Sequence, residues 1–498
     1  MEDHFLSFHT LSYILLLILI ILKVVKRFKN SGRTSKLPPG PWKLPILGSL
    51  HHLICNHPHK RLRELSQKYG PLMHLQLGET SAIVVSSPEI AKEVFKTHGV
   101  TFAHRPHFVV ADIVTYGCTD IALSPYGDYW KMLRKICTLE LFSPKRVRSF
   151  KSIREEEVSN LITYISMNTG SPINLSDKVS AMQYKIVSRA VVGDKCMEQD
   201  AYILFIKKFT KINETFGMSN FFPSQNWLHV VSGIVHKLKE LQRTGDMLLD
   251  NVIKSATANT GDRSLLSVLL NLKDDSPEFH LTLDNIKAII QDMFIGGIES
   301  PSSTVDWAFS EMMKNPRVLK RAQAEVREVF GSMGCVDEMA LQELKYLKAI
   351  IKETFRLHPP SPLLFPRECG ETCEINGYTI PVGTQVYVNA WAIGRDPKYW
   401  IDADKFYPER FLNSPIDYKG SNFELIPFGA GKRICPGIMF SEPNIELPLA
   451  QLLYYFNWEL PFGTSPQQMD MTETFGGSGR RISDLFVVPV SYNVVPVE

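Results

Sequence analysis

Residues 427–437 read Pro427-Phe428-Gly429-Ala430-Gly431-Lys432-Arg433-Ile434-Cys435-Pro436-Gly437. The two glycines ahead of the cysteine allow a tight turn that leaves backbone N–H groups near its sulfur. A helix starting just after Cys435 would aim its positive end at the same atom. Both effects favour the thiolate, which is the form that binds metal. A cysteine taken alone is ordinarily a buried, inert thiol, and that reading suits the other seven of the eight in the chain. Their scatter through 498 residues is not a disulfide framework.

Around this loop, short strands such as 384–389 alternate with Pro/Gly turns, and a hairpin-like region closes the chain. Short strands are also expected between Tyr69 and Ser87, and helical patterns dominate from Pro88 to about Leu357. The chain therefore reads as mainly α with a smaller β portion, in a single large domain. In its middle, Ile286, Ile289, Ile290 and Met293 recur at i, i+3, i+4 and i+7, the buried stripe of a helix. That helix should begin near Thr282 or Asp284 and end before Asn315-Pro316. It contains Gly296-Gly297-Ile298-Glu299-Ser300-Pro301, a poor helix-forming run. Pro301 cannot donate to the carbonyl of Gly297, so a kink or local opening is expected there.

Residues 5–25 are mostly apolar and long enough to span a bilayer. Lys23, Lys26, Arg27 and Lys29 follow, whereas a cleaved signal peptide would carry its basic residues ahead of the apolar core. The positive-inside rule puts the N-terminus outside and the body in the cytosol. Residues 26–41 read as a basic, proline-rich hinge ending in Leu37-Pro38-Pro39-Gly40-Pro41, and 42–498 as the catalytic body. A net charge of +3 from 55 basic and 52 acidic residues gives no polyelectrolyte signature, so no nucleic-acid partner is expected. In the cytosol the thiols stay reduced, and the patterns Asn174-Leu175-Ser176 and Asn213-Glu214-Thr215 stay unglycosylated.

The Cys435 segment resembles the haem-binding signature of the cytochrome P450 superfamily, and other landmarks agree along nearly the whole body. The resemblance implies the P450 fold, heme b as cofactor, Cys435 as axial ligand to the iron, and Phe428 within the cofactor loop. A thiolate ligand donates electron density to haem iron and favours O–O cleavage. Glu353-x-x-Arg356 places acid and base on one helical face; in the family this pair joins the position of Arg410 in a structural network. Trp130-x-x-x-Arg134 resembles a family motif whose two side chains hydrogen-bond a haem propionate. Arg105, Arg367 and Arg433 match further propionate positions, and Arg suits planar carboxylates. The Gly296–Pro301 run matches the family's oxygen-binding helix, with Glu299 to relay protons and Ser300 to hydrogen-bond the bound oxygen. Family members usually carry threonine at that second position. Ser300 keeps the donor but lacks the methyl that restricts its rotamer. Ser441-Glu442-Pro443 also departs from the family's smaller run, and Pro443 should disturb the helix beneath the haem.

The resemblance places the substrate pocket at Phe108 to Val114, with Ile113, then Ile295, Gly296, Leu363, Leu364 and Phe475. Such an apolar lining suits a hydrophobic small molecule. Asp112 reads as a solvated loop acid, the alternative being a partner for a protonated amine. The proline hinge, the Phe428 loop and Pro366-Arg367-Glu368 look most like plant enzymes that oxidise terpenoids and alkaloids, a terpenoid being the leading expectation. No Gly-x-Gly-x-x-Gly fingerprint follows a strand, so electrons from NADPH must come through a separate NADPH–cytochrome P450 reductase. Lys131, Lys135, Lys145, Arg146, Arg148 and Lys432 are candidates for its docking face. The localisation implied is the endoplasmic reticulum membrane, single-pass, with the body in the cytosol and O2 as co-substrate. Two other readings remain: a rearranging family member of the lyase or dehydratase type, and a non-catalytic haem-binding membrane protein. A zinc site on Cys369-x-x-x-Cys373 lacks a partner pair at a recognised interval.

Overall fold

A computed structural model describes residues 36–193, 199–214, 218–225, 233–257, 264–275, 281–474 and 479–492. The span expected at 5–25, the hinge as far as residue 35, and Phe475 lie outside the described residues. Among the described residues no helix is long and apolar enough to cross a membrane. The proline-rich stretch from Lys36 onward is docked on the body. The Lys36 carbonyl accepts from Thr379 N–H at 3.0 Å and the Pro39 carbonyl from His74 N–H at 2.8 Å.

The helices that position the site are α1 Pro58–Tyr69, α2 Asp128–Glu140, α3 Leu175–Val192, α4 Ile234–Thr257, α5 Leu283–Lys314, α6 Pro316–Phe330, α7 Lys345–Leu357 and α8 Ile438–Tyr455. The strands are β1 Leu72–Leu77, β2 Thr80–Val85, β3 Ile173–Asn174, β4 Arg367–Glu368, β5 Cys373–Ile375, β6 Tyr378–Ile380, β7 Gln385–Val388, β8 Phe456–Glu459 and β9 Phe486–Ser491. One sheet has the order β1-β2-β7-β4; β2 and β7 run parallel, with Ile83 opposite Val386, and the outer pairs are antiparallel. A second has the order β3-β9-β8, and β5 and β6 form a hairpin. The fold is mainly helical with a smaller sheet portion, as the sequence predicts.

α5, α3, α7 and α8 pack together at the centre, and the Ile286, Ile289, Ile290 and Met293 stripe is buried among them. The start of α5 is fixed by a capping box. The Thr282 hydroxyl accepts from Asn285 N–H at 3.2 Å, and the Asn285 side chain accepts from Thr282 N–H at 3.0 Å. The local opening expected at Pro301 is not found: α5 runs as one helix of 32 residues. Instead of a break, the Ser300 hydroxyl donates to the carbonyl of Gly296 at 2.7 Å. The same correction applies to Pro443, since α8 continues through both Pro443 and Pro448. Each proline frees the carbonyl four residues earlier. For Pro443 this is Met439, which is exposed. For Pro448 it is buried Asn444, whose carbonyl accepts from Gln183 Nε2 of α3 at 2.6 Å. A side chain from the neighbouring helix thus replaces the missing backbone donor.

α7 carries the expected network. Glu353 and Arg356 have fully buried side chains and form two parallel bonds of 2.7 and 2.8 Å. Arg410 Nε also donates to Glu353, at 3.1 Å. Arg356 further donates to the carbonyls of Gly394, Ala403 and Lys405. Burying such charges is tolerable only when both partners are satisfied. Here the pair ties α7 to the long connection that leads into the Cys435 loop.

Candidate active site

The Cys435 loop is held by its own backbone and by a glycine with no substitute. Gly431 has φ +70°, and a Cβ there would sit 2.2 Å from the carbonyl oxygen of Phe95. Cys435 N–H donates to the Phe428 carbonyl at 3.0 Å, which fixes the turn. The Phe428 ring packs edge-on against Phe355 at 5.0 Å, with Tyr418 at 5.4 Å. Cys435 Sγ lies at the end of the loop, 3.8 Å from where a Cβ on Gly437 would stand. The loop favours the anion in the way the turn predicts, and removal from water works against it. Loss of hydration is the largest influence and raises the thiol above its ordinary range, against the Gly437 N–H and Arg134, which favour the anion. A cationic metal at Sγ would supply the missing stabilisation.

The four arginines singled out from sequence do converge. Arg433 lies 4.2 Å over the Trp130 ring and Arg134 lies 5.9 Å from the same ring. Arg433 Nε and Nη2 donate to the carbonyls of Ala103 and Ser124 at 2.8 and 2.6 Å. Arg367 donates to Phe102 and Ala430, and Arg105 to Ala122, Phe365 and Pro366. Burial depresses all four, and like-charge repulsion from Arg105 and Arg433 adds to it for Arg367. Arg433 is brought down to about 9 and Arg105 to about 10. Asp120 is the acid that offsets Arg105 and Arg433, and buried Arg433 Nη1 has no partner among the described residues. So crowded a group of cations calls for an anionic guest, and the two carboxylates of heme b fit that need. Trp130 differs from expectation: its indole N–H donates to the Ile121 carbonyl at 2.9 Å, so the ring serves as a floor for the arginines.

The run expected to bind oxygen lies on α5. A Cβ on Gly296 would meet nothing within 4 Å, while Ile295, Glu299 and Ser300 are half-buried on the same stretch. Phe108, which precedes the short helix Val109–Val114, and Ile113 within it are half-buried, and that helix packs on α4. Leu364 reaches toward Gly429 of the cysteine loop, whereas Leu363 is buried in a different cluster, with Leu50, Leu62 and Tyr387. That placement corrects Leu363 as a pocket residue. Asp112 is half exposed and faces His107 at 3.4 Å, but it stands in the first turn of the short helix Val109–Val114 rather than in a loop.

Two features escaped sequence reasoning. Asp292 of α5 accepts from the N–H groups of Ile121 and Ala122, both at 3.0 Å, and its carboxyl hydrogen-bonds that of Asp120. Two carboxyls can bond only if one is protonated; removal from water pushes both up, Asp120 to about 6. No residue pattern marks such a pair, because its members lie 172 positions apart. The second is His57, His59 and Glu473, whose side chains gather closely enough to hold a metal. Lys60 already neutralises Glu473 at 2.7 Å. Cys369 and Cys373 take no part in that cluster; their sulfurs lie 4.0 Å apart, and no zinc set forms around them among the described residues.

A cysteine loop beside four crowded arginines, together with a long helix that carries an open glycine and an acid–hydroxyl pair, suits the haem-thiolate class. The family model Cytochrome P450 matches residues 38–483, and the chain belongs to that family. It is a cytochrome P450 monooxygenase with heme b as its cofactor. The chain is 50% identical over 487 residues to premnaspirodiene oxygenase of Hyoscyamus muticus, covering 96% of this chain and 97% of that one. It is 49% identical over 489 residues to 5-epiaristolochene 1,3-dihydroxylase of Nicotiana tabacum, with 96% and 97% covered. Among solved structures, a zebra fish cytochrome P450 with abiraterone superposes with a TM-score of 0.76 at 27% identity, over 88% of this chain and 100% of that chain.

Proposed function

We propose that this monooxygenase inserts one oxygen atom from O2 into a hydrophobic small molecule of the terpenoid class, an alkaloid being the second choice, with electrons from NADPH delivered by a separate reductase. The observation that carries the reading is the pairing of an apolar distal wall around open Gly296 with relatives named for oxygenation of premnaspirodiene and 5-epiaristolochene. Bound heme supplies O2 activation. Cys435 would bind its iron, Arg433, Arg134, Arg367 and Arg105 would hold its carboxylates, Trp130 would support two of those arginines and Phe428 would back the loop. Glu299 passes protons inward, and Ser300 is the hydroxyl that presents them on the distal side. The apolar residues Phe108, Ile113, Ile295 and Leu364 exclude water and orient the substrate; Phe475 is assigned to the same lining.

The reductase face is supported by Lys135, Lys145, Arg148 and Lys432, which are exposed. Lys131 pairs with Asp128 at 2.9 Å, and Arg146 Nε is spent on the Glu140 carbonyl, so they contribute less. Residues 5–25 anchor the body to the endoplasmic reticulum membrane on its cytosolic side. The test is turnover of sesquiterpene hydrocarbons with and without NADPH and reductase. Product that requires both is the expected result; undiminished product without either would replace this reading with the rearranging, lyase-type one.

A further inference from the structure

Asp292, Glu299 and Asp306 recur at seven-residue intervals along α5. That spacing drifts by only about 20° per step, so the three share one face. Beside Glu299 and Asp306, α5, α3, the helix Gln199–Glu214 and the segment after Gly479 border a cavity that opens to solvent. Glu299, Ser302 and Asp306 line one wall, Ser176 and Asp177 of α3 another, and Arg481 a third. The lining is mixed, with Ile203, Ile206 and Ile298 beside these polar groups, and the polar groups give water its hydrogen-bond partners. We propose that Asp306 is the solvent-side station of a proton path that enters through this cavity and reaches Glu299 by way of Ser302 and cavity water.

The proposal rests on the reading of Glu299 as the proton relay and extends it outward. The Ser176 hydroxyl, which accepts from Leu485 N–H at 2.7 Å, donates to Asp306 and fixes its carboxyl at the cavity wall. Ser302 sits three residues after Glu299 and four before Asp306, one helical turn from each. Its hydroxyl is buried and has no partner among the described residues, whereas the Ser303 hydroxyl is spent on the Gly479 carbonyl at 3.3 Å. Burial raises Asp306 to about 6; the Ser176 bond and the Arg481 and Arg480 charges oppose this, and Asp484 reinforces it. Asp177 of α3 and Glu299 of α5 also face the cavity. A carboxyl with this value gains and loses protons readily near neutrality. Each transfer makes one O–H bond and breaks another. A proton from bulk water adds to the Asp306 carboxylate, passes through cavity water and the Ser302 hydroxyl, and protonates Glu299. Asp306 is then ionised again, with no net redox change.

The first measurement is an infrared pH titration of the resting protein. Asp306 and Asp120 both contribute to the carboxyl absorption that titrates near pH 6, so Asp306→Asn should remove part of that band and Asp120→Asn the remainder. The second is coupling in the complete reductase system. Asp306→Asn and Ser302→Val should each lower product formation about tenfold, raise peroxide per product and enlarge the solvent deuterium isotope effect, with KM and the thermal midpoint unchanged. Wild-type coupling and isotope effect in Ser302→Val, or in folded Asp306→Asn, would overturn the path, provided that Glu299→Gln is impaired. Should Glu299→Gln also be indifferent, the relay reading beneath the proposal fails instead. Ser302→Val leaves the Ser176–Asp306 bond intact, so it tests the path even if Asp306→Asn does not fold.

Discussion

At the residue scale, sequence made the chemistry legible where a residue type has few other uses. Cys435 between glycines could be named from its own loop, whereas the arginines at separated positions could be named only through the family resemblance. What sequence could not show was how each charge is balanced. Trp130 N–H is already satisfied by the Ile121 carbonyl, while Arg433 Nη1 is left without a partner. The imbalance predicts that Arg433→Leu folds at least as well without heme, because it removes a buried, repelled cation. Holding heme is where it fails: transfer to apomyoglobin should be about tenfold faster or more, as expected for losing a charge-assisted bond. Unchanged transfer would remove Arg433 from the carboxylate site. At Ser300, the bond to Gly296 carbonyl shows a hydroxyl free to turn back on its own helix. Threonine in its place has fewer rotamers, so Ser300→Thr should keep activity and release less peroxide per product; more peroxide would contradict this.

At the element scale, the prolines mark the boundary of sequence reasoning. Local propensity says that Pro301 and Pro443 should open their helices, yet α5 and α8 continue through them, and α8 continues through Pro448 as well. Gln183 accounts for the last of these, since its amide replaces the donor lost at Pro448. Gln183→Leu should leave the buried Asn444 carbonyl unsatisfied and cost about 1–3 kcal/mol. Urea unfolding would measure it, and a loss within error would mean that another donor or water serves that carbonyl. The helix ends were readable from the Thr282 cap and Asn315-Pro316, because caps are local. Gly296 was also readable as part of a weak helical run, but the open space beside it belongs to the assembled wall. Gly296→Ala should leave the thermal midpoint unchanged or higher, since alanine favours helix, while altering the product distribution.

At the scale of the whole molecule, the mainly helical fold followed from periodicity and turn residues, whereas the ties that close it are long-range pairs with no pattern. The Asp120–Asp292 pair joins the loop before α2 to α5. Its sign with pH follows from Asp120 being raised from 3.8 to about 6. Between those values the folded protein holds a proton that the unfolded chain has released, so this contribution favours folding below about pH 4 and is lost as pH rises through 6. Asp120→Asn should therefore show a shallower fall in thermal midpoint between pH 4 and 6.5 than the parent; identical slopes would mean that the pair shares no proton. Above these ties stands the central claim, that Cys435 is the axial thiolate of a heme held by four arginines. The optical difference spectrum of the ferrous protein with carbon monoxide, recorded for the parent and Cys435→Ala together, tests it most directly. The account predicts a thiolate-type Soret band in the parent alone. The same band in folded, heme-loaded Cys435→Ala, or none in the heme-loaded parent, would contradict it.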